Sequence, residues 1–215
     1  MRNRLDEQIY ELNREIIEMG AMCEEAIAST AKALTTGDTE LAEQVKANGP
    51  AINQMERNIE SRCTKLLIHQ HPVARDLRLI SAALKMITDM ERIGDQAEDI
   101  AEIIPFIAGK TSEKSMDLID HMAHETVYML TASVDAFVGK DIELAAKVIT
   151  RDDIVDDYFT KVKTEIIDSI AAGTADGECA LDLLMISKYF ERIGDHAVNI
   201  AEWVIYSVTG LHREV

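Results

Sequence analysis

The sequence is poor in residues that punctuate a chain. Among 215 residues there are 3 prolines and 10 glycines, and aromatic residues make up 5%. Ala, Leu, Ile, Met, Glu and Lys dominate instead, which is a composition for long helices rather than sheet and predicts an all-α protein. Cysteine is scarce as well. Cys23, Cys63 and Cys179 lie far apart with no CxxC spacing, which argues against a zinc knuckle or a disulfide framework and leaves buried thiols as the expected reading. No apolar run reaches the roughly 20 residues of a membrane span. Nothing behind Met1-Arg2-Asn3-Arg4-Leu5-Asp6 reads as a signal peptide, so the expected location is the cytoplasm, peripheral to a membrane only through another protein. Positive charge is in deficit: 22 Lys and Arg stand against 39 Asp and Glu, a net charge of −17. Non-specific attraction to nucleic acid or to an anionic membrane is therefore disfavoured, and cationic partners, including metal ions, are the natural complement. Catalytic signatures are missing too. There is no GxSxG, no P-loop, no Rossmann glycine pattern and no Cys-His pair with nucleophile spacing.

What is present is a repeat. Glu91-Arg92-Ile93-Gly94-Asp95-Gln96-Ala97-Glu98-Asp99-Ile100-Ala101-Glu102 returns as Glu191-Arg192-Ile193-Gly194-Asp195-His196-Ala197-Val198-Asn199-Ile200-Ala201-Glu202, with 9 of 12 positions identical at a separation of 100 residues. On a helix, Glu91, Asp95, Glu98 and Glu102 share a narrow sector, and Ile93, Ala97, Ile100 and Ile104 lie opposite. One face packs and the other carries carboxylates.

Apolar spacing of three and four predicts helices over about Asn3–Ala33, Thr39–Gln70 and Val73–Ile107, then Glu113–Val138, Ile142–Ile170 and Glu178–Val208. Asp38 or Thr39 and Ser112 are candidate caps, and Pro72 suits an early helical position. Gly49-Pro50 predicts a kink or a local break in the second helix. Gly139-Lys140-Asp141 repeats the role of Gly37-Asp38. Each half thus reads helix, helix, long helix, most simply an antiparallel three-helix bundle, with 1–109 and 110–215 as tandem duplicated bundles. A continuous six-helix domain is the alternative.

The carboxylates carry the chemistry. Glu191 and Asp195 share a helix face, as do Asp195 and Asn199, and Asp152 and Asp156 repeat the spacing on the fifth helix. Stacked like charges destabilise a bare helix by about 0.2–0.5 kcal/mol per pair, so such a face needs open solvent or a cation. Antiparallel packing of the last two helices would bring Asp152, Asp156, Glu191 and Asp195 together with Asn199 alongside, an oxygen set suited to Mg²⁺, Ca²⁺, Mn²⁺ or Fe³⁺. His196 faces one turn away and is a weak ligand candidate. The first half is poorer: Glu91, Asp95 and Asp99 stand on its third helix, but Gly49 and Asn53 occupy the positions of Asp152 and Asp156, leaving Glu56 and Glu60 as further oxygen donors. Gly94 and Gly194 predict close approach of a neighbour at each motif. His69, His71, His121 and His124 lack metal-site spacing and read as solvated or capping, and Trp203 reads as packed on a bundle end. A di-iron oxidase would need Glu-xx-His pairs, which Glu91-xx-Gly94 and Glu191-xx-Gly194 do not supply.

Pro72-Val73-Ala74-Arg75-Asp76-Leu77-Arg78-Leu79-Ile80, Asp89-Met90-Glu91-Arg92-Ile93-Gly94-Asp95 and the run from Tyr189 to Glu202 together make the chain resemble the PhoU family of phosphate-transport accessory proteins, over essentially its whole length. The resemblance implies paired three-helix bundles in a homodimer, with metal ions or multinuclear clusters, of Fe, Zn, Mn, Mg or Ca, on the acidic faces. By position the family's acidic motifs fall on Asp152 and Asp156, Glu191 and Asp195, and Glu91 and Asp95, with Asp99 and Asn199 one turn further on. It also implies negative regulation of the phosphate-starvation response through contact with the phosphate ABC transporter ATPase and a phosphate-sensing histidine kinase, without catalysis. The departure at Gly49 and Asn53 implies a weaker or incomplete first-half site. The alternatives are an acidic adaptor that binds a basic protein surface without metal and, less favoured, a metal-dependent hydrolase or oxidase.

Overall fold

The apolar stripes resolve into six α-helices in a computed structural model that describes residues 2–70 and 72–211. They are α1 (Arg2–Thr36), α2 (Thr39–Gln70), α3 (Arg75–Ile107), α4 (Glu113–Gly139), α5 (Ile142–Ala171) and α6 (Gly177–Thr209). His71 lies outside the described residues, as does Met1.

Local chemistry sets the helix ends. The Asp38 carboxylate accepts from Leu41 N at 3.0 Å, and Asp141, its counterpart 103 residues on, accepts from Glu143 N and Leu144 N, each at 3.0 Å. Ser112 and Asp176 cap α4 and α6 by accepting from Ser115 N and Glu178 N. Each cap satisfies an N–H that the first turn leaves unbonded. The left-handed residue ending α1 is Gly37 (φ 68°), but its counterpart is Lys140 (φ 55°), because α4 extends through Gly139.

Two expectations change. Of the kink or local break expected at Gly49-Pro50, the break does not occur, and α2 runs unbroken through the pair. A proline normally forces the residue before it out of helical geometry by a clash with that residue's Cβ, and Gly49 has none. Before α3, Ala74 takes φ 37°, which no helix accommodates, so the helix starts at Arg75 and Pro72 stands outside it.

Within each half the three helices pack on one another: α1 on α2 and α3, and α2 on α3; α4 on α5 and α6, and α5 on α6. The halves also meet extensively, α3 against α6 and α1 against α4, and a single apolar core runs through both. α3 and α6 carry equivalent buried positions, Met86 and Ile186, Met90 and Phe190, Ile93 and Ile193, Ala97 and Ala197, Ile100 and Ile200, and Met90 and Ala97 accept hydrogen bonds at their carbonyls from Cys23 and Thr30 of α1. The three cysteines are free and buried, and burial pushes the Cys23 and Cys63 thiols up to about 12, so they behave as apolar filler. His69, His121 and His124 are exposed. Trp203 packs partly buried against the core, edge-on to Tyr206 at 5.6 Å between ring centroids.

Candidate cation-binding faces on the two halves

In the second half the i,i+4 spacing on α5 and α6 does what the pattern predicts. Asp152, Asp156, Glu191 and Asp195 come together where the two helices face each other, close enough for their charges to raise the proton affinity of the three aspartates. Asp152 is affected most: burial first, then the charges of Asp156, Asp195 and Glu191, lift it to about 6. Burial and Glu191 raise both Asp156 and Asp195, while the Lys188 ammonium pulls them back down. Lys188 pairs with Glu191 three residues on, a link visible in the sequence from its i,i+3 spacing but overlooked there.

The close approach expected at Gly194 is made by this group. A Cβ on Gly194 would stand 2.9 Å from Asp152 Oδ1, so the glycine leaves room for a carboxylate between α5 and α6. That oxygen is buried and has no hydrogen-bond partner among the described residues. A buried carboxylate oxygen without a donor is costly, and a cation is the partner that its neighbours, all acceptors, cannot supply. Carboxylate oxygens are the donor type a hard cation takes. Among the described residues the side chains line the facing helices without three of them converging on one point.

Asn199 is engaged elsewhere. Its amide donates to Asp89 Oδ1 of α3 at 3.1 Å, and His196 Nδ1 lies 2.9 Å from the same oxygen. These contacts tie the two halves together, and they place Asn199 and His196 on the α3–α6 seam rather than among the four carboxylates. Nothing in the local pattern signals this, because it depends on how α3 lies on α6.

The first half has the same motif and a different arrangement. Burial, then Asp95, raises Glu91, with Glu56 of α2 adding to the effect and Arg92 opposing it. The Arg92 guanidinium lies 3.6 Å from both Glu91 and Asp95. Asp99 is raised by burial, Glu102 and Asp95, and lowered by Arg192 from the other half. Gly94 faces Ile52 rather than a carboxylate, its missing Cβ 3.0 Å from the Ile52 methyl. The residue that the sequence pattern missed is Glu98. Its carboxylate fills the space a Cβ would need at Gly49, 1.5 Å from that position, and burial with Asp95, Asp99, Glu102 and Glu91 raises it. Gly49 thus carries no carboxylate of its own but admits one from α3.

These features define a class: an all-α protein of two duplicated three-helix bundles, each presenting a carboxylate-bearing face between its last two helices. The PhoU domain family matches residues 16–104 and 119–204, one repeat in each half, and the chain belongs to that family. It is 33% identical over 210 residues to the phosphate-specific transport system accessory protein PhoU homolog of Clostridium acetobutylicum, covering 97% of this chain and 96% of the relative. Among solved structures, PhoU from Pseudomonas aeruginosa is similar with a TM-score of 0.90 at 33% identity, over 96% of this chain and 99% of that one. The phosphate transport system regulatory protein PhoU from Streptococcus pneumoniae gives 0.91 at 26% identity, over 98% and 100%. Family membership assigns the chain a regulatory, non-enzymatic role in phosphate signalling. No described helix is long and apolar enough to cross a membrane.

Proposed function

We propose that the chain restrains phosphate uptake and the phosphate-starvation response as a cytoplasmic homodimer that contacts the ATPase subunit of the phosphate ABC transporter and a phosphate-sensing histidine kinase. Cations on its acidic faces hold the partner-binding shape. The observation that carries the cation part is Asp152 Oδ1, buried and without a donor beside Asp156, Glu191 and Asp195. A bound cation, one of Fe, Zn, Mn, Mg or Ca, would offset the repulsion among these carboxylates and fix the spacing of α5 and α6. The first-half face, with Glu91, Asp95, Asp99 and Glu98, takes a cation more weakly.

The test is elemental analysis of purified protein beside a variant with Asp152→Asn, Asp156→Asn, Glu191→Gln and Asp195→Asn, together with co-purification of the transporter ATPase with and without chelator. Bound metal in the wild type, lost in the variant along with ATPase binding, is the expected result. Equal and negligible metal in both proteins would sink the cation part. A second reading has support in the Lys188–Glu191 pair. A protein ammonium already offsets part of the negative face, as it would in an adaptor that binds basic partner surfaces without metal, and chelation would then leave ATPase binding unchanged.

A further inference from the structure

One side chain at the α5–α6 face has a charge opposite to the rest. Lys188 stands on α6 one turn before Glu191, and its ammonium contacts both oxygens of that carboxylate. The same charge lowers the proton affinity of Asp156 and Asp195, whereas the charges that act most on Asp152 are all negative. Lys188 Nζ also lies 5.5 Å from the ring centroid of Phe159 on α5, within cation–π range. The Lys188 side chain is 38% exposed and that of Glu191 14%, so the lysine stands at the solvent edge of the group and its counter-ion deeper. Lys188 therefore has two sets of partners within reach: the carboxylates, and the Phe159 ring with open solvent. The first half is built otherwise. Thr88 stands at the position of Lys188, its hydroxyl donating to Leu84 O, and Glu56 stands at the position of Phe159, where its charge raises Glu91. The arginine of the motif differs too: Arg92 lies 3.6 Å from Glu91 and Asp95 of its own face, but Arg192 acts on Asp99 of the other half. In the second half Lys188 supplies the positive charge that Arg92 supplies in the first.

We propose that Lys188 is a built-in counter-ion of the α5–α6 face, displaced from Glu191 when a divalent cation binds, and that it makes the face selective for divalent over monovalent ions. This deepens the cation reading of the proposed function and rests on it. In metal-free protein the ammonium offsets part of the repulsion among the four carboxylates. It also holds Glu191 to its own helix, which accounts for side chains that line the two helices without three of them converging on one point among the described residues. A monovalent ion in the ammonium's place would exchange one positive charge for another and gain no attraction, whereas a divalent ion adds a charge. Lys188 can give up Glu191 readily, because its stem is flexible, its head is strongly hydrated, and the Phe159 ring and water remain as partners. An arginine there would hold Glu191 bidentately and yield less easily. Replacing the lysine by an apolar side chain of similar length should therefore act in opposite directions on the two states. Metal-free protein loses an attraction, and cation binding loses a competitor.

The experiment compares the full-length wild type with Lys188→Met and Lys188→Arg, by thermal melts without metal and by Mn²⁺ calorimetry. The calorimetry is repeated in KCl and in tetramethylammonium chloride at equal ionic strength, since the organic ion screens charge but is too large to enter among the carboxylates. Lys188→Met should melt a few degrees lower without metal, yet bind Mn²⁺ about tenfold more tightly than wild type at low ionic strength. Lys188→Arg should melt like the wild type and bind Mn²⁺ no more tightly. K⁺ should compete with Mn²⁺ beyond the tetramethylammonium effect in Lys188→Met and not in the wild type. A lysine that only held the helices in place would lower the melt and weaken Mn²⁺ binding together. Mn²⁺ binding that is present in the wild type and unchanged or weaker in Lys188→Met would overturn the counter-ion role and leave the cation reading standing, as would an undiminished metal-free melt. The same K⁺ effect in both proteins would overturn the selectivity. Absence of Mn²⁺ binding from wild type and variant alike would overturn the cation reading and this inference with it.

Discussion

The two halves share a motif and place its carboxylates differently. In the second half the oxygen comes from α5, and Gly194 on α6 makes room for it; in the first the oxygen comes from α3, and Gly49 on α2 makes room for it. Glycine and carboxylate have exchanged helices. In the second half the exchange puts Asp152 among four acidic neighbours on two helices, Asp153 and Asp156 of α5 and Glu191 and Asp195 of α6. In the first, the acidic groups that raise Glu98 all lie on α3 itself, and Glu56 of α2 acts on Glu91. A cation bridging two helices needs oxygens from both, so the second face is the one proposed to bind more tightly, although the 12-residue motif in each half is nearly the same.

Emptying the equivalent core positions of α3 and α6 should have the largest effect. Phe190→Ala and Met90→Ala empty equivalent, fully buried positions of α6 and α3. The losses expected are about 3–5 and 2–5 kcal/mol, measured by denaturant unfolding. A larger loss at Met90 than at Phe190 would mean that the two halves do not share the core evenly.

Transplanting the second arrangement into the first half comes next. Gly49→Asp with Glu98→Val copies Asp152 and Val198 into the first half and removes the carboxylate that would clash with the new side chain. One further tightly bound ion per chain is expected by elemental analysis. Gly49→Asp alone should do less, because Glu98 occupies the space.

Acidity sharpens the comparison through Asp152. Its carboxyl is held at about 6, above the ordinary value, so the folded state binds the proton more tightly than the unfolded chain. Stability of metal-free protein should therefore rise as pH falls through about 6, and the penalty should be fully present above that range. Thermal melts across pH 5–8 should show this slope in the wild type and a flatter one in Asp152→Asn. Excess divalent cation should flatten it as well.

The smallest effect concerns the turns. Lys140 holds a left-handed conformation that its counterpart Gly37 adopts without strain. Lys140→Gly should stabilise by at most about 1 kcal/mol, and Gly37→Lys should destabilise by a similar amount, both read from unfolding midpoints.

Much of this was legible in the residues. Apolar spacing placed all six helices to within a few residues, since long amphipathic stripes overrule local exceptions, and the caps at Asp38 and Ser112 followed from side-chain chemistry. The grouping of Asp152, Asp156, Glu191 and Asp195 followed from two i,i+4 pairs on helices that had to be antiparallel. The break at Gly49-Pro50 does not occur because the residue before the proline is a glycine. Glu98 at Gly49, and Asp89 with His196 and Asn199, were invisible for another reason. They depend on the lateral fit of one helix on another, and periodicity along a single helix carries no record of that fit.

The account turns on unequal faces, and Mn²⁺ titration of metal-free protein, read by calorimetry, tests this most directly. Wild type should show a tighter and a weaker class of site, with Asp152→Asn removing the tighter class and Asp95→Asn leaving it in place. Equal loss from the two substitutions, or an intact tighter class in Asp152→Asn, would contradict it.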